Sequence, residues 1–169
     1  MKKQFLTFIL AALMLSCASI DSEQSGSSVS VPPADSNVLT VNFSEVEGKE
    51  WRLIEIHIDN EIIKISRNVL LGTFGDIFTI SFLNGTVSGT GAPNRYSAPY
   101  TISDDQGISV MVLLSTMMAS LFELSNLSEY EYFAHIQNSY KWELVNHNLE
   151  LYSRAENNRE VKLIFADYP

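Results

Sequence analysis

The sequence contains a single cysteine among 169 residues, Cys17. One thiol excludes an internal disulfide, a zinc site built from several cysteines and a dithiol redox centre within one chain. A domain without such cross-links has to be stabilised by its hydrophobic core. The chain that follows Cys17 is long enough for one domain that buries roughly two-thirds of the surface of its unfolded form.

Basic residues are also scarce. The chain has 11 Lys+Arg against 20 Asp+Glu, a net charge of −9. Nucleic-acid binding depends on Lys and Arg side chains that neutralise phosphates, so we expect no nucleic-acid partner. The same acidic balance provides no attraction to anionic lipid, and any membrane attachment has to come from covalent acyl chains.

The sequence has no apolar run of the roughly 20 residues that a transmembrane helix needs. Its N-terminal run extends only from Phe5 to Leu15 and is interrupted by Thr7. Two lysines precede this run, and a small residue, Ser16, follows it. A charged start, a short apolar stretch and a small residue are typical of a signal peptide, which we assign to residues 1–16.

Cys17 lies directly after this segment. The stretch "LMLSC" resembles the lipobox of bacterial lipoproteins, with Met14 at a place where leucine is usual. The resemblance implies that the Cys17 thiol is acylated, with palmitate for example, and becomes the new N-terminus. The alternative is an accidental free cysteine, a reactive liability in an exported protein. Ala18 in the next position resembles sorting to the outer membrane, so we expect the periplasmic face of that membrane rather than the inner membrane.

Residues 17–42 are predicted to be a flexible tether. Between Ala18 and Asn42 there are seven serines, Pro32 and Pro33 and no aromatic residue. Such a composition cannot bury enough apolar surface to offset the entropy of ordering. A flexible coil of this length spans on the order of 25–30 Å, which would hold the domain at residues 43–169 away from the bilayer.

Motifs for catalysis and metal binding are missing. His57, His135 and His147 lack the spacing of metal ligands, and no HExxH, G-x-S-x-G or G-x-G-x-x-G pattern is present. No nucleophile, base and orienting acid can be assembled from the sequence. We therefore expect no cofactor, no metal and no enzymatic activity.

From Phe43 onward, apolar residues mostly alternate with polar ones, as in strands with one buried face. Strand-like runs flank three turn sequences, at Asp59-Asn60, at Asn84-Gly85 and at 104–107. Asn-Gly between two such runs is the strongest short signal for a β-hairpin. The continuous stretch "ISVMVLLST" at 108–116 is interpreted as one strand, and three further strands are predicted near the C-terminus.

The periodicity changes once, near residue 128. Ser128 and Glu131 form a Ser-x-x-Glu capping box, and Tyr132, Ile136 and Tyr140 recur at helical spacing. This predicts one amphipathic helix from about Ser128 to Ser139. The fold class is therefore α+β and mainly antiparallel β. We expect about eight short strands in a curled sheet or partly closed barrel, with one helix packed late in the chain.

Several ordered motifs together resemble the META domain, the HslJ-like family of bacterial envelope proteins, over residues 43–165. They are "GKEWRL", "GTGAPNRYSAPY", "LLSTMMAS", "LELY" and "KLIF". Where many relatives have cysteines, this chain has Ala92 and Ser120, and Pro93 is an additional residue. The resemblance implies an exported or lipid-anchored domain, in some cases linked to heat or antibiotic stress, and it supplies no catalytic residue.

The best candidate for a binding loop is Asn94, Arg95 and Tyr96. The loop could present Asn94 and Arg95, and the planar arginine fork suits a carboxylate or phosphate. In the alternative that we favour, the Asn94 amide satisfies loop backbone groups and Arg95 pairs with a nearby carboxylate.

Other candidate surfaces are aromatic or rich in methionine. Trp51, Trp142, Tyr96 and Tyr100 could line a pocket but are assigned to core packing. Met117 and Met118 could form an adaptable binding surface, yet we assign them to the core or a helical turn. The sequence thus predicts a monomeric, membrane-tethered module that contacts an envelope protein or component, with a carrier of a small apolar ligand as the alternative.

Overall fold

A computed structural model describes residues 42–65, 76–119, 127–155 and 157–168. The predicted signal peptide, Cys17 and nearly all of the tether lie outside these residues. The described residues form a short 3-10 helix (Phe43–Glu45), one α-helix, α1 (Glu129–Gln137), and ten strands. The strands are β1 (Glu50–Ile58), β2 (Glu61–Lys64), β3 (Thr79–Leu83), β4 (Thr86–Thr90), β5 (Arg95–Ile102), β6 (Ile108–Val110), β7 (Leu114–Ser115), β8 (Ser139–Val145), β9 (Asn148–Arg154) and β10 (Glu160–Tyr168).

Eight of these strands form an antiparallel sheet in the order β6-β5-β4-β3-β1-β10-β9-β8. Its two ends approach each other, because Gly107 forms a bridge with Lys141 and the Trp142 amide donates to the Gln106 carbonyl over 2.9 Å. The sheet is therefore a nearly closed barrel of eight strands, with β2 and β7 attached to β1 and β5. The predicted fold class, including the late helix, is confirmed.

The hairpin turns form where the sequence predicts them, and the reason is local. Asp59, Asn84 and Asn146 all have positive φ, a conformation that Asn and Asp tolerate better than most residues. Gly85, at φ 74°, completes the Asn-Gly turn between β3 and β4. Each turn therefore directs the chain into the antiparallel partner that follows it.

The prediction of one strand at 108–116 is wrong, because this range contains two separate strands, β6 and β7. β6 pairs with residues 100–102 of β5, whereas β7 pairs with Tyr96 and Ser97. Between these pairings lies Pro99, whose carbonyl accepts from the Met111 amide but which has no N–H to donate in return. The ladder is interrupted at this proline, and residues 111–113 separate the two short strands.

The helix begins as predicted and ends earlier. The Ser128 hydroxyl accepts from the Glu131 amide, and the Glu131 carboxylate accepts from the Ser128 amide, which completes the capping box. The helix ends at Gln137, and Tyr140 belongs to β8 rather than to the helix. Strand pairing explains the difference, since Ser139 already pairs with Ser153 of β9.

Among the described residues, one hydrophobic core fills the centre of the barrel. Its largest fully buried side chains include Trp51, Tyr132, Phe78, Phe82 and Phe165. Phe78 and Tyr132 meet edge to face with ring centroids 5.0 Å apart, so the helix closes on the start of β3. Carriage of an apolar ligand inside the sheet stays a prediction, but the space it needs is occupied here by side chains.

Candidate functional site

The three residues of the predicted binding loop point in different directions. Asn94 and Tyr96 are buried, at 5% and 3% relative exposure, whereas Arg95 between them is exposed. This alternation follows from the strand geometry of β5, in which neighbouring side chains lie on opposite faces. The loop therefore does not present Asn94, Arg95 and Tyr96 as one exposed group.

The Asn94 side chain joins two distant segments. Its Nδ2 donates to the Met118 carbonyl over 2.9 Å and to Glu129 Oε2 over 2.6 Å. Its Oδ1 accepts from the Thr116 hydroxyl at 2.8 Å and from the Met118 amide at 2.7 Å. All of the amide's polar capacity is thus used inside the protein, which is the structural role that the sequence analysis favours.

Glu129, the first residue of α1, supports the same loop. Its Oε1 accepts from the Asn94 amide at 2.6 Å and also from the Ala92 amide. Gly91 is needed beside this carboxylate, because a Cβ there would lie 2.6 Å from Glu129 Oε1 and 2.7 Å from the Phe133 ring. Hereafter the Asn94 clamp means Asn94, Thr116, Met118 and Glu129.

Tyr96 reaches the core rather than a ligand site. Its hydroxyl and that of Tyr132 both donate to the Thr79 carbonyl over 2.9 Å. Burial raises the pKa of both phenols above the usual value. Both side chains stay protonated at neutral pH and act as hydrogen-bonded packing residues that join β5 and α1 to β3.

Arg95 offers an exposed guanidinium next to the clamp. Its backbone exchanges hydrogen bonds with Thr116, whose hydroxyl accepts from the Arg95 amide at 3.1 Å. Among the described residues, no carboxylate forms an ion pair with its side chain. Arg95 is therefore positioned by its backbone and presents its charge to solvent.

An exposed apolar segment follows directly along the chain. We define the apolar strip as the side chains of residues 111–118 that project into solvent. Their relative exposures are 60% for Met111, 73% for Val112, 71% for Leu114, 98% for Met117 and 55% for Met118. The assignment of Met117 and Met118 to the core or a helical turn is wrong, because both side chains lie outside the core and their backbone is not helical.

The backbone that carries the strip is held at several points. The Met111 amide donates to Pro99, the Leu113 amide donates to Gln137 Oε1 over 3.0 Å, and Leu114 pairs with Ser97. Met118 is fixed at both its amide and its carbonyl by Asn94. The exposed side chains therefore project from a hydrogen-bonded backbone, and the Asn94 clamp contributes to holding them in place.

One signal in the sequence could have revealed this surface. The stretch from Ile108 to Phe122 has no charged residue, although 18% of the whole chain is Asp, Glu, Lys or Arg. The sequence pattern assigns its apolar residues to a strand and to the core or a helical turn. Their exposure depends on the interruption at Pro99 and on the Asn94 clamp, neither of which a local pattern shows.

The remaining candidate residues either pack in the hydrophobic core or lie outside the described residues. Trp51, Trp142 and Tyr100 belong to the hydrophobic core, while Cys17 is not among the described residues. Across those residues, no three His, Cys, Asp or Glu side chains are grouped as metal ligands would be. The described helices also include none with the length and apolarity to cross a membrane.

The sequence matches the META domain family over residues 44–165. The chain belongs to the META domain family. The apolar strip and the Asn94 clamp both lie within the matched range, so they are features of this META domain rather than of a flanking segment. A comparison with curated proteins gives no significant match.

Solved structures resemble this META domain at low sequence identity. An NMR structure of a protein from Burkholderia xenovorans has a TM-score of 0.52 and 18% identity, covering 88% of this chain and 99% of its own. A DUF4847 family protein from Bacteroides vulgatus ATCC 8482 has a TM-score of 0.48 and 14% identity, covering 73% of this chain and 95% of its own. The likeness to the Burkholderia protein shows the fold alone.

Proposed function

We propose that this META-domain protein is an HslJ-like, lipid-anchored interaction module of the bacterial cell envelope, without catalytic activity. In this proposal the apolar strip binds another envelope protein. The domain is a monomer between binding events, and its partner connects it to envelope or antibiotic stress.

The exposure of the strip is the observation that carries the proposal. Five large apolar side chains between Met111 and Met118 are more than half exposed. Contiguous exposed apolar surface on a monomer often marks an interaction site. Methionine suits such a surface because its flexible, polarizable side chain adapts to the shape of a partner.

The fixed backbone of the strip supports the same function. Residues 113, 114 and 118 are hydrogen-bonded to α1, β5 and Asn94. A binding surface that is ordered before association loses less conformational entropy when it docks. Arg95 lies next to this surface, where its exposed guanidinium is available to a carboxylate of the partner.

The N-terminal sequence supports the location in the envelope. A signal peptide at 1–16, acylation of Cys17 and a tether at 17–42 would attach the domain to a membrane, with the periplasmic face of the outer membrane as the proposed site. Stable anchoring takes two or more acyl chains, which agrees with a modified N-terminal cysteine.

The anchor is tested by fractionation of the full chain and of Cys17→Ser. We expect the wild type to incorporate labelled palmitate and to sediment with outer membranes. Cys17→Ser should incorporate none and become extractable by salt. Labelled protein in the inner-membrane fraction would contradict the location, and equal sedimentation of both forms would contradict the anchor.

The interaction is tested by chemical crosslinking in the native membrane. Leu114→Lys together with Met117→Lys adds two charges to the strip at residues that the fold does not bury. We expect the wild type to give one discrete adduct that this double variant loses. A matched control, Asn60→Lys together with Ile62→Lys on the exposed β2 hairpin, should keep the adduct. An adduct retained by both variants would refute the role of the strip.

A further inference from the structure

A cavity of about 510 Å³ lies on the side of α1, away from the apolar strip residues. It is a half-open groove bordered by the helix, by the end of β1, by residues 155, 157 and 159, and by the start of β10. Four apolar residues from these elements line it, namely Ile58, Ala134, Ala155 and Val161. Its volume is within the range of small-molecule sites, roughly 300–1,000 Å³.

His135 contributes a buried polar group to this cavity. The side chain lines the cavity and has only 8% relative exposure. Its Nδ1 has no hydrogen-bond partner in the described part of the protein. This nitrogen is enclosed by the protein and does not face the cavity, so a ligand would contact the small exposed edge of the His135 ring rather than Nδ1.

Two charged residues at the cavity, Glu131 and Arg159, determine which charge a ligand could carry. Glu131 is already occupied, since it accepts from the Ser128 amide and hydroxyl at 2.8 Å. Among the described residues, the one ion pair of Arg159 is a loose contact with Asp59 at 3.7 Å, and the Arg159 side chain is 51% exposed. Exposed pairs of this kind contribute little, so the guanidinium is available to an anion at the rim.

The geometry points to a binding site for a small amphiphilic carboxylate. The carboxylate would pair with Arg159 at the rim, because the guanidinium fork matches its two oxygens. The apolar body would lie against Ala134, Ala155 and Val161 and against the exposed edge of the His135 ring. This site is separate from the strip and does not depend on the proposed protein partner.

Burial lowers the pKa of His135, and the nearby Glu131 opposes this change to a smaller extent. The imidazole is therefore neutral at neutral pH, with one ring nitrogen that donates and one that accepts a hydrogen bond. A neutral group suits the inner, apolar part of the cavity, while the permanent charge of Arg159 remains at the solvent side. The site thus has a neutral inner end at His135 and a positively charged outer end at Arg159.

The test is a titration of the isotopically labelled chain with decanoate, followed by NMR and calorimetry. Decanol and decylamine have the same apolar body and serve as probes without the anionic group. We expect saturable decanoate binding that shifts the resonances of His135 and Ala155, with at least tenfold weaker binding of decylamine.

Two arginine variants test the contribution of charge. Arg159→Gln should weaken decanoate binding at least tenfold while leaving decanol binding unchanged. Arg154→Gln, which removes an exposed arginine that stacks on Tyr140 outside the cavity, should bind decanoate like the wild type. Both sites are exposed, so both variants should fold.

The proposal is overturned if decanoate shows no saturation up to its solubility limit as a monomer. It is also overturned if decanoate and decylamine bind equally, or if Arg159→Gln and Arg154→Gln bind decanoate alike. Shifts that appear on the apolar strip and not around His135 would instead show binding of the probe to exposed apolar surface.

Discussion

Asn94 and Arg95 are neighbours in the sequence with different roles in the fold. The Asn94 side chain makes four hydrogen bonds to Thr116, Met118 and Glu129. The Arg95 side chain is exposed, and only its backbone is paired with Thr116. At the scale of single residues, Asn94 holds the backbone of the apolar strip in place, whereas Arg95 adds an exposed positive charge beside it.

Replacement of Asn94 should therefore be far more costly than replacement of Arg95. Asn94→Ala removes the side-chain hydrogen bonds to Glu129 Oε2, the Thr116 hydroxyl and the Met118 amide and carbonyl, and we expect a loss of about 3 kcal/mol in the free energy of unfolding. Arg95→Ala should stay within about 0.5 kcal/mol of the wild type. Urea denaturation of both variants measures the difference, and equal losses would contradict the role of the clamp.

His135 should make stability depend on pH in a predictable direction. Burial lowers its pKa below the ordinary value of 6.5. Below that pH the unfolded chain binds more protons than the folded one, so the free energy of unfolding falls as the pH falls. We expect His135→Gln to lose less stability than the wild type between about pH 7.5 and 5.5.

The matched control for this experiment is His147→Gln, which changes an exposed turn residue. Its pH dependence should follow that of the wild type. Urea unfolding at both pH values provides the comparison, and parallel curves for His135→Gln and the wild type would refute the assignment. Carboxylates with lowered pKa values, such as Glu131 and Glu143, lose their contribution only at more acidic pH.

At the scale of elements, close approach between strands and helix depends on glycine. A Cβ on Gly89 of β4 would lie 2.0 Å from the Thr79 carbonyl oxygen and 2.8 Å from the Tyr96 hydroxyl. That carbonyl is the acceptor shared by Tyr96 and Tyr132. Gly89 thus leaves room for the contact that joins β3, β5 and α1.

Gly89→Ala should destabilise the barrel by about 3 kcal/mol, because the new methyl group meets backbone rather than a flexible side chain. Ser88→Ala, on the exposed face of the same strand, should change the free energy of unfolding by less than about 0.5 kcal/mol. Thermal and urea denaturation of the pair test this difference. A Gly89→Ala protein as stable as Ser88→Ala would show that the strands separate without cost.

Local elements could be predicted from the sequence because their signals are local. Asn84-Gly85 specifies a turn through its own backbone preferences, and the Ser128-Glu131 capping box specifies where the helix starts. The clamp could not be predicted in this way. Asn94 and Glu129 are 35 residues apart in sequence, and the contact exists only after the barrel has brought α1 to β5.

The candidate sites show the same difference between local signals, which the sequence reveals, and contacts between distant residues, which it does not. The sequence singles out Asn94 but not its partners. It assigns Met117 to the core or a helical turn, because a run of apolar residues has the same pattern whether it is buried or exposed. The cavity near His135 combines residues from β1, α1 and the turn before β10. No pattern within any one of these segments indicates that they enclose a common space.

At the scale of the whole molecule, the described strands β8 to β10 carry paired charges, whereas the apolar strip carries none. On strands β8 to β10, Lys162 pairs with Glu150 at 3.0 Å and Lys141 pairs with Glu143 at 2.6 Å. The Tyr152 hydroxyl donates to both carboxylates. The apolar strip has no such charged partners within residues 108–119, which supports the assignment of binding to its exposed side chains.

The strip is expected to contribute to binding rather than to folding. Leu114→Lys together with Met117→Lys replaces side chains that are 71% and 98% exposed. The free energy of unfolding should therefore remain within about 0.5 kcal/mol of the wild type. Urea denaturation measures this directly, and a loss of several kcal/mol would show that these side chains belong to the packed structure.

The most direct measurement is site-specific photo-crosslinking of the full chain in its native membrane. A photoreactive amino acid is placed at Met117 in one variant and at Lys64, 78% exposed on β2, in the other. We predict one discrete protein adduct from position 117 and none from position 64. Equal labelling from both positions, or none from position 117, would contradict the claim that the strip is the binding surface.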